Sequence, residues 1–304
     1  MNARLDVLEA PAESAAPVAH DRARGRDYVT LSKPRITLMV VLTALVGFFL
    51  ASGGAMDGWT LTQTLLGTAL ASMGASALNM VLEREADGRM RRTRNRPLPA
   101  GRLTSAEAAV FGIAASVAGV AWLAAAHPLA AIMGALTVFL YICAYTPLKA
   151  KTSLATVVGA VPGALPPVIG WTAASGAIEP GALALFLILF FWQLPHFLAI
   201  AWMYRDDYAR AGYPMLPVVE PEGTSTGRQV VVQGAAMVLV SLLPIVTRMA
   251  GPAYFWGALA LGAAFLALCL GFAVDRTHAR AQKVFFASLV YLPVLLSMLA
   301  FCRL

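Results

Sequence analysis

Residues 79–102 read NMVLEREADGRMRRTRNRPLPAGR and place three carboxylates among seven arginines at the end of a long apolar run. A helix turns by about 100° per residue, so Asn79, Glu83 and Asp87, spaced four apart, stay within about 40° of one another and span roughly 12 Å. The spacing therefore predicts a row of oxygen atoms along one face of a helix end.

The composition of the rest of the chain is that of a membrane protein. Of its 304 residues, 59% are hydrophobic and 13% are charged, whereas soluble domains carry about 25% charged residues. Nine apolar segments are each long enough to cross a hydrocarbon core of roughly 30 Å. These segments are 36–53, 60–82, 105–126, 129–147, 154–174, 182–203, 229–249, 253–272 and 283–302. We therefore predict an all-α, polytopic membrane protein with nine transmembrane helices.

The distribution of basic residues predicts how these helices cross the membrane. With the N-terminus in the cytoplasm, 21 of the 23 lysines and arginines fall on the cytoplasmic side, as the positive-inside rule requires. The net charge of +7 is then a topology signal, and no nucleic acid is expected as a partner.

The first 30 residues are polar and are predicted to form a disordered cytoplasmic tail, followed by the nine-helix transmembrane domain over residues 31–304. The tail lacks the apolar core of a signal peptide and contains five carboxylates, which favours a bacterial inner (plasma) membrane over a mitochondrial one. The cysteines, Cys143, Cys269 and Cys302, lie in apolar segments without zinc-like spacing and are expected to be packing residues.

The row that begins at Asn79 fits a metal–diphosphate site. Oxygen ligands suit a hard cation such as Mg²⁺, which keeps waters and shares its site with substrate phosphates. Arg92 and Arg96 repeat the four-residue spacing and offer planar, permanently charged groups that match phosphate oxygens. A topology signal would explain the arginines, but three acids at a helix end are not needed for topology.

A second acidic pair, Asp206 and Asp207, ends the sixth predicted helix on the same side of the membrane. Two such helix ends could hold two metal ions around one diphosphate and neutralise the charge of the leaving pyrophosphate. The carbocation left behind would need an apolar, water-poor tunnel, which nine helices can supply.

Other polar residues leave two interpretations open. His196 lies three residues after Gln193 in the sixth segment, and serves either in hydrogen-bonded packing or in contact with a substrate or haem iron. Lys149 and Lys151, after the fourth segment, either bind phosphate or signal topology.

Several of these stretches resemble a known family. NMVLEREAD, residues 79–87, resembles the first aspartate-rich motif, NxxxDxxxD, of the UbiA superfamily of intramembrane prenyltransferases. The closer resemblance is to the branch of that family that modifies haem, over about residues 28–302. It is carried in order by RMRRTRNRPLPAGRL (89–103), YTPLKAKTSLATVVGAVPGALPPVIGW (145–171), WQLPHFLAIAW (192–202) and YRDDYARAGYPMLPVV (204–219).

The resemblance implies a fold and a reaction. Nine helices would enclose a central cavity that opens to the lipid bilayer, beneath a polar cap on the cytoplasmic side. A farnesyl group would pass from farnesyl diphosphate to a vinyl group of haem B, with addition of water and release of pyrophosphate. Mg²⁺ would be the metal, and the product, haem O, would pass to a partner such as a haem A synthase.

The resemblance also suggests roles for individual residues. Glu83 stands where the first motif has aspartate, and Tyr204 and Tyr208 occupy the outer positions of a second motif, DxxxD, leaving Asp206 and Asp207. The predicted catalytic residues are Asp87, Asp207 and His196; the predicted metal ligands are Asn79, Glu83, Asp87, Asp206 and Asp207; and the predicted substrate contacts are Asn79, Arg92, Arg96, Tyr145, Lys149, Lys151, Gln193 and Tyr204.

Three other functions compete with the prenylation of haem. A prenyltransferase of the same family acting on a quinone or chlorin ring would not need the WQLPH element. A transporter of organic anions would show two related halves and charges at the membrane midplane, whereas these acids lie at helix ends and no internal repeat is visible. A purely structural membrane subunit leaves the paired acidic helix ends unexplained.

Overall fold

The protein, in a computed structural model that describes residues 17–303, is built from helices. They are α1 (Pro17–Leu31), α2 (Pro34–Ala51), α3 (Gly58–Leu82), α4 (Arg84–Arg89), α5 (Ser105–Ala126), α6 (Pro128–Phe139), which continues through a π-helical turn (Leu140–Tyr145) into α7 (Thr146–Leu148), then α8 (Ala155–Ala164), α9 (Pro166–Ser175), α10 (Pro180–Met203), α11 (Arg205–Ala211), α12 (Leu216–Val219), α13 (Thr224–Val240), α14 (Leu243–Val246), α15 (Pro252–Val274) and α16 (His278–Phe301).

The predicted membrane-spanning segments are confirmed. Within residues 17–303, nine helical stretches are long and apolar enough to cross a membrane, and each overlaps one predicted segment. Six of them are single helices: α2, α3, α5, α10, α15 and α16. The other three are α6 to α7, α8 to α9, and α13 to α14, each of which changes direction or helical type within the span. The all-α, polytopic fold class is thus confirmed.

The predicted tail is only partly described. Residues 1–16 lie outside the described residues, and the structure places residues 17–30 in α1, where the sequence analysis predicted disorder. Tertiary contacts explain the difference, because Asp27 accepts hydrogen bonds from Arg102 Nε at 3.0 and 3.2 Å. The ring of Tyr28 packs edge-on against Phe111, with 5.4 Å between centroids.

Small residues bring α2 and α9 into backbone contact. A Cβ atom on Gly170 would overlap the carbonyl oxygen of Ala44, and one on Gly47 would overlap that of Pro167. Close approach of this kind gives membrane helices the packing contacts that hydrophobic burial does not supply in lipid. The same device joins α3 to α5, where a Cβ on Gly67 would lie 2.9 Å from the carbonyl oxygen of Gly119.

Two membrane helices end in the same way at one end of the bundle. The helical backbone breaks at Glu83, between α3 and α4, and again at Tyr204, between α10 and α11. The short helices α4 and α11 then pack against each other. Because both breaks lie at one end, the two acidic stretches of the sequence converge there.

A substitution at the α2–α9 contact tests this packing. Gly170→Ala is expected to destabilise the protein by about 1–3 kcal/mol, because the methyl group must push two backbones apart. The midpoint of thermal unfolding of the detergent-solubilised protein, followed by size-exclusion chromatography, measures the loss. Gly58→Ala is the matched control, since nothing lies within 4 Å of a Cβ at Gly58; equal midpoints for the two variants would contradict the close contact.

Candidate active site

Asn79, in the last turn of α3, is buried and held at both ends of its amide. Its Oδ1 accepts a hydrogen bond from Lys33 Nζ at 3.0 Å, and its Nδ2 donates to Thr146 Oγ1 at 3.2 Å. The hydroxyl of Thr146 has one proton and donates it to the carbonyl oxygen of Tyr141 at 2.7 Å. Thr146 can therefore only accept from Asn79, which fixes the amide with its oxygen toward Lys33.

Glu83 lies at the break after α3 and forms a buried ion pair. Its Oε1 accepts a hydrogen bond from Lys149 Nζ at 3.0 Å, and the side chains are 5% and 10% exposed. The Lys149 ammonium also lies 4.7 Å from the centroid of the Tyr213 ring. Burial disfavours the charged form of Lys149, but Glu83, Tyr208 and Tyr213 together outweigh this and raise the pKa of the lysine. The lysine of this pair is therefore an ammonium.

Asp87 is fully buried, and one of its two carboxylate oxygens is hydrogen-bonded. Its Oδ2 accepts from Arg96 Nη1 at 2.7 Å, whereas Oδ1 has no hydrogen-bond partner among the described residues. An unpartnered buried carboxylate oxygen is costly unless a cation or donor binds it. Together with the amide oxygen of Asn79 and the carboxylate of Glu83, this atom fits a hard divalent cation.

The arginine of the predicted diphosphate site, Arg92, lies on the solvent side of this cluster. Its guanidinium carbon is 5.3 Å from the Tyr204 ring centroid and 5.4 Å from that of Tyr208, and Nη2 donates to the Tyr208 hydroxyl at 3.1 Å. Lys149 Nζ lies 6.0 Å from the same Tyr208 centroid. One tyrosine ring thus connects exposed Arg92 to the buried pair of Glu83 and Lys149.

The two aspartates of α11 differ in their surroundings. Asp207 is buried, and its Oδ1 accepts hydrogen bonds from the backbone amide of Arg91 at 3.1 Å and from the Arg210 guanidinium. Burial acts to raise the pKa of Asp207, but these donors outweigh it and lower the pKa. Asp206 is exposed. The metal-binding roles predicted for both residues stay predictions.

The other predicted residues have different surroundings. Lys151 is exposed, and Gln193 is buried in α10, where its Nε2 donates to the carbonyl oxygens of Leu189 at 3.0 Å and Ala160 at 3.4 Å. His196 is buried against α16, with Nδ1 2.7 Å from Ser288 Oγ. Their substrate and catalytic roles stay predictions.

Two cavities open at this end of the bundle. The larger, of about 320 Å³, is lined by Glu83, Thr146 and Tyr213 among others. The smaller, of about 50 Å³, lies between Tyr145 and Lys149 on one side and apolar residues of α10, Phe197 and Ile200, on the other. The predicted contact Tyr145 therefore borders both the charged cluster and the apolar interior.

The sequence analysis assigned no site role to four residues that the structure brings to the cluster: Lys33, Thr146, Tyr208 and Tyr213. Lys33 has a left-handed backbone (φ 44°), uncommon for a residue other than glycine, and burial lowers the pKa of its ammonium to about 8. Nothing in LSKPRIT signals this conformation or the distant Asn79. Thr146 follows the π-helical turn, a feature that often marks functional sites but has no sequence signature here.

Within the described residues, no three His, Cys, Asp or Glu side chains form a metal-binding group. A cation beside Asp87 would complete its coordination with the Asn79 amide oxygen, the Glu83 carboxylate, water and oxygens of a bound phosphate. Mg²⁺ commonly binds in this way, through one or two carboxylates and substrate phosphates.

Comparison with known proteins adds to this geometry. The profile of the UbiA prenyltransferase family matches residues 40–290. A protein named protoheme IX farnesyltransferase from Solibacter usitatus is 45% identical over 289 residues, covering 91% of this chain and 99% of its own. One of the same name from Salinibacter ruber is 47% identical over 277 residues, with 90% and 97% covered.

Solved structures share the fold at low sequence identity. A structure described in work on digeranylgeranylglyceryl phosphate synthase has a TM-score of 0.78 at 15% identity, covering 91% of this chain and 97% of its own. A UbiA homologue from Archaeoglobus fulgidus bound to GPP and Mg²⁺ has a TM-score of 0.63 at 18% identity, with 90% and 99% covered.

The hydrogen bonds of Asn79 generate a test. Thr146→Val keeps the shape of the side chain but removes the acceptor for Asn79 Nδ2, so the amide can turn its oxygen away. We expect the affinity for Mn²⁺, measured by electron paramagnetic resonance with a diphosphate present, to fall about tenfold, the effect of one lost polar contact. Thr146→Ser should restore it; equal affinities for all three proteins would contradict the orienting role.

Proposed function

Because the chain belongs to the UbiA prenyltransferase family, we propose that it transfers a farnesyl group from farnesyl diphosphate to a vinyl group of haem B and yields haem O. The acceptor is supported by the relatives from Solibacter usitatus and Salinibacter ruber, which match along nearly their full lengths. The observation that carries the proposal is the buried carboxylate of Asp87, with one oxygen unpartnered, among lysine and arginine side chains at the end of an apolar bundle.

The reaction balances as an alkyl transfer with hydration. The bond between C1 of the farnesyl group and the diphosphate oxygen breaks, and its electron pair leaves with pyrophosphate. A vinyl carbon of haem B forms the new bond to C1. The π bond of the vinyl group is consumed in this step, which leaves a carbocation on the carbon attached to the porphyrin ring that stabilises it. Water then adds to this carbon and releases one proton.

Mg²⁺ would be held by Asp87 and Asn79, with Glu83 as a further ligand. When bound, it would neutralise charge on the departing pyrophosphate. The metal contacts of Asp206 and Asp207 stay predictions outside this proposal, because Asp206 is exposed and Asp207 already accepts two hydrogen bonds.

The ion pairs of the site suit an exchange of partners. Asp87 is paired with Arg96 and Glu83 with Lys149, so the buried charges are compensated before substrate binds. On binding, the two cations and Arg92 turn to phosphate oxygens, and the carboxylates turn to the metal. The diphosphate and its metal can thus enter without leaving a buried charge unpaired. This exchange requires both the carboxylates, which take the metal, and the cations, which take the phosphate.

The apolar side of the site receives the farnesyl chain. Tyr145, Phe197 and Ile200 border the smaller cavity beside Lys149, and Phe197 and Ile200 belong to the membrane-spanning helix α10. Apolar walls exclude water, which would otherwise capture the farnesyl cation before haem does.

His196 is the proposed contact to haem B. Ser288 Oγ donates its proton to the carbonyl oxygen of Phe285 at 2.6 Å, so the hydrogen bond at 2.7 Å between Ser288 and His196 takes its proton from Nδ1. Nε2 then keeps its lone pair, the form in which imidazole binds iron. Stacking between Trp192 and Phe285, with centroids 5.1 and 5.0 Å away, fixes the ring.

The location is proposed from the charges of the sequence. The polar end of the bundle would face the cytoplasm of a bacterium, with the N-terminus on the same side and the helices in the inner membrane. Haem O would leave through the bilayer to a haem A synthase, and pyrophosphate would be released into the cytoplasm.

The central test uses membranes that contain the protein, supplied with haem B, farnesyl diphosphate and Mg²⁺. We expect a more hydrophobic pigment whose mass has increased by a farnesyl group and a hydroxyl. Asp87→Asn should lower its rate of formation by about 100-fold or more, because one charged ligand is lost at the site of charge development. Asp275→Asn, at an exposed carboxylate after α15, is the control and should keep the normal rate.

The acceptor is tested by the same membranes. Prenylation of a quinone or chlorin ring in place of haem would keep the metal site and overturn the haem assignment. Absence of any prenylated product from folded protein would overturn the proposed reaction itself.

His196→Phe tests the haem contact, because it keeps aromatic stacking and removes both ring nitrogens. We expect KM for haem B to rise about tenfold, as for one lost polar contact, while the affinity for farnesyl thiodiphosphate stays unchanged. The Soret band of bound haem should also shift. Phe285→Leu is the control, because it alters the stacking but keeps the imidazole. A normal KM and Soret band in His196→Phe would assign His196 to packing alone.

A further inference from the structure

The loop between α4 and α5 is attached to α11 at one buried carboxylate. Asp207 Oδ1 accepts the backbone amide of Arg91 at 3.1 Å, over a separation of 116 residues, and also the guanidinium of Arg210. The side chain is 8% exposed. Arg91 immediately precedes Arg92, so the position of Asp207 determines where Arg92 lies.

The two tyrosines that flank Asp207 hold the side chain of Arg92. Tyr204 and Tyr208 place their ring centroids 5.3 and 5.4 Å from its guanidinium carbon, and the Tyr208 hydroxyl accepts a hydrogen bond from Nη2. The face of an aromatic ring attracts a planar cation such as the Arg92 guanidinium. Asp207 of α11 thus fixes the backbone of the arginine loop. Tyr208 of the same helix and Tyr204, at the break before it, fix the side chain of Arg92.

Arg92 differs from the other arginine of the site in its charge balance. Arg96 is paired with Asp87 at 2.7 Å, whereas none of the salt bridges within 4.0 Å among the described residues involves Arg92. A guanidinium between aromatic rings keeps its full positive charge and its free N–H groups. That charge lies at the solvent side of the cluster. A second metal ion bound to the diphosphate would place its positive charge at the same position.

We propose that Asp207 is a positioning residue that holds the arginine loop, and that Arg92, fixed between Tyr204 and Tyr208, supplies at the end of α10 the positive charge that a second metal ion would provide. This inference rests on the proposed function and specifies how its diphosphate is bound. Asp207 reaches the substrate through Arg91 and Arg92 and has no metal to bind.

Two variants of Asp207 separate positioning from metal binding. Asparagine keeps an oxygen that can accept from the Arg91 amide but carries no charge, whereas alanine removes the acceptor. We expect Asp207→Ala to weaken the binding of farnesyl thiodiphosphate about tenfold, and Asp207→Asn to restore most of that affinity. A metal ligand would behave differently, because losing its charge would impair binding in both variants.

Two further readouts do not depend on catalysis. Limited trypsin digestion of the protein should cleave the arginine loop faster in Asp207→Ala than in Asp207→Asn or the original chain, because the loop has lost its attachment. The amount of Mn²⁺ bound in the presence of farnesyl thiodiphosphate should be the same in both Asp207 variants and lower in Asp87→Asn.

The proposal is overturned if Asp207→Asn loses affinity as Asp207→Ala does, or if either variant binds less Mn²⁺. It is also overturned if Arg92→Gln binds farnesyl thiodiphosphate as the original chain does. These outcomes concern diphosphate and metal binding only, so they are distinguishable from a failure of haem prenylation, which would overturn the proposed function while leaving the binding measurements intact.

Discussion

The site depends on burying carboxylates at the end of an apolar bundle. Asp87 is fully buried, and an isolated carboxylate in that position would lose its hydration without compensation. Arg96 and, for Glu83, Lys149 supply the opposite charges. Because removing one member of such a pair leaves the other charge buried and uncompensated, the positions of both chain segments that carry the cations are constrained by the acids.

This constraint explains several local irregularities. α3 breaks at Glu83, so the oxygen atoms of the row are not carried by one continuous helix. The fourth span widens into a π-helical turn before Thr146 and Lys149, and Lys33 adopts a left-handed backbone before Pro34. Irregular backbone of this kind is tolerated in membrane proteins where it lines a polar site and is stabilised by its surroundings.

The arrangement also relates stability to function. Each buried acid already has a cation, so the protein can fold before it meets a substrate that is itself highly charged. The close helix contacts at Gly170 and Gly67 provide packing that does not depend on this polar end. Binding can therefore rearrange the ion pairs while the apolar bundle remains in place.

The sequence by itself determined the nine spans and the end of the bundle that carries the charge, and it predicted roles for Asn79, Asp87 and Arg96. Hydrophobic length and helical periodicity are local properties, so they can be read along the chain. The break at Glu83 lay beyond such reading, because a four-residue spacing fits a continuous helix equally well.

Only the tertiary structure decided which charges meet. Lys33 and Asn79 are 46 residues apart, Glu83 and Lys149 are 66 apart, and Asp207 and Arg91 are 116 apart. Each of these contacts depends on how helices pack and where they break, and no single segment encodes it. The same reason pairs His196 with Ser288 over 92 residues.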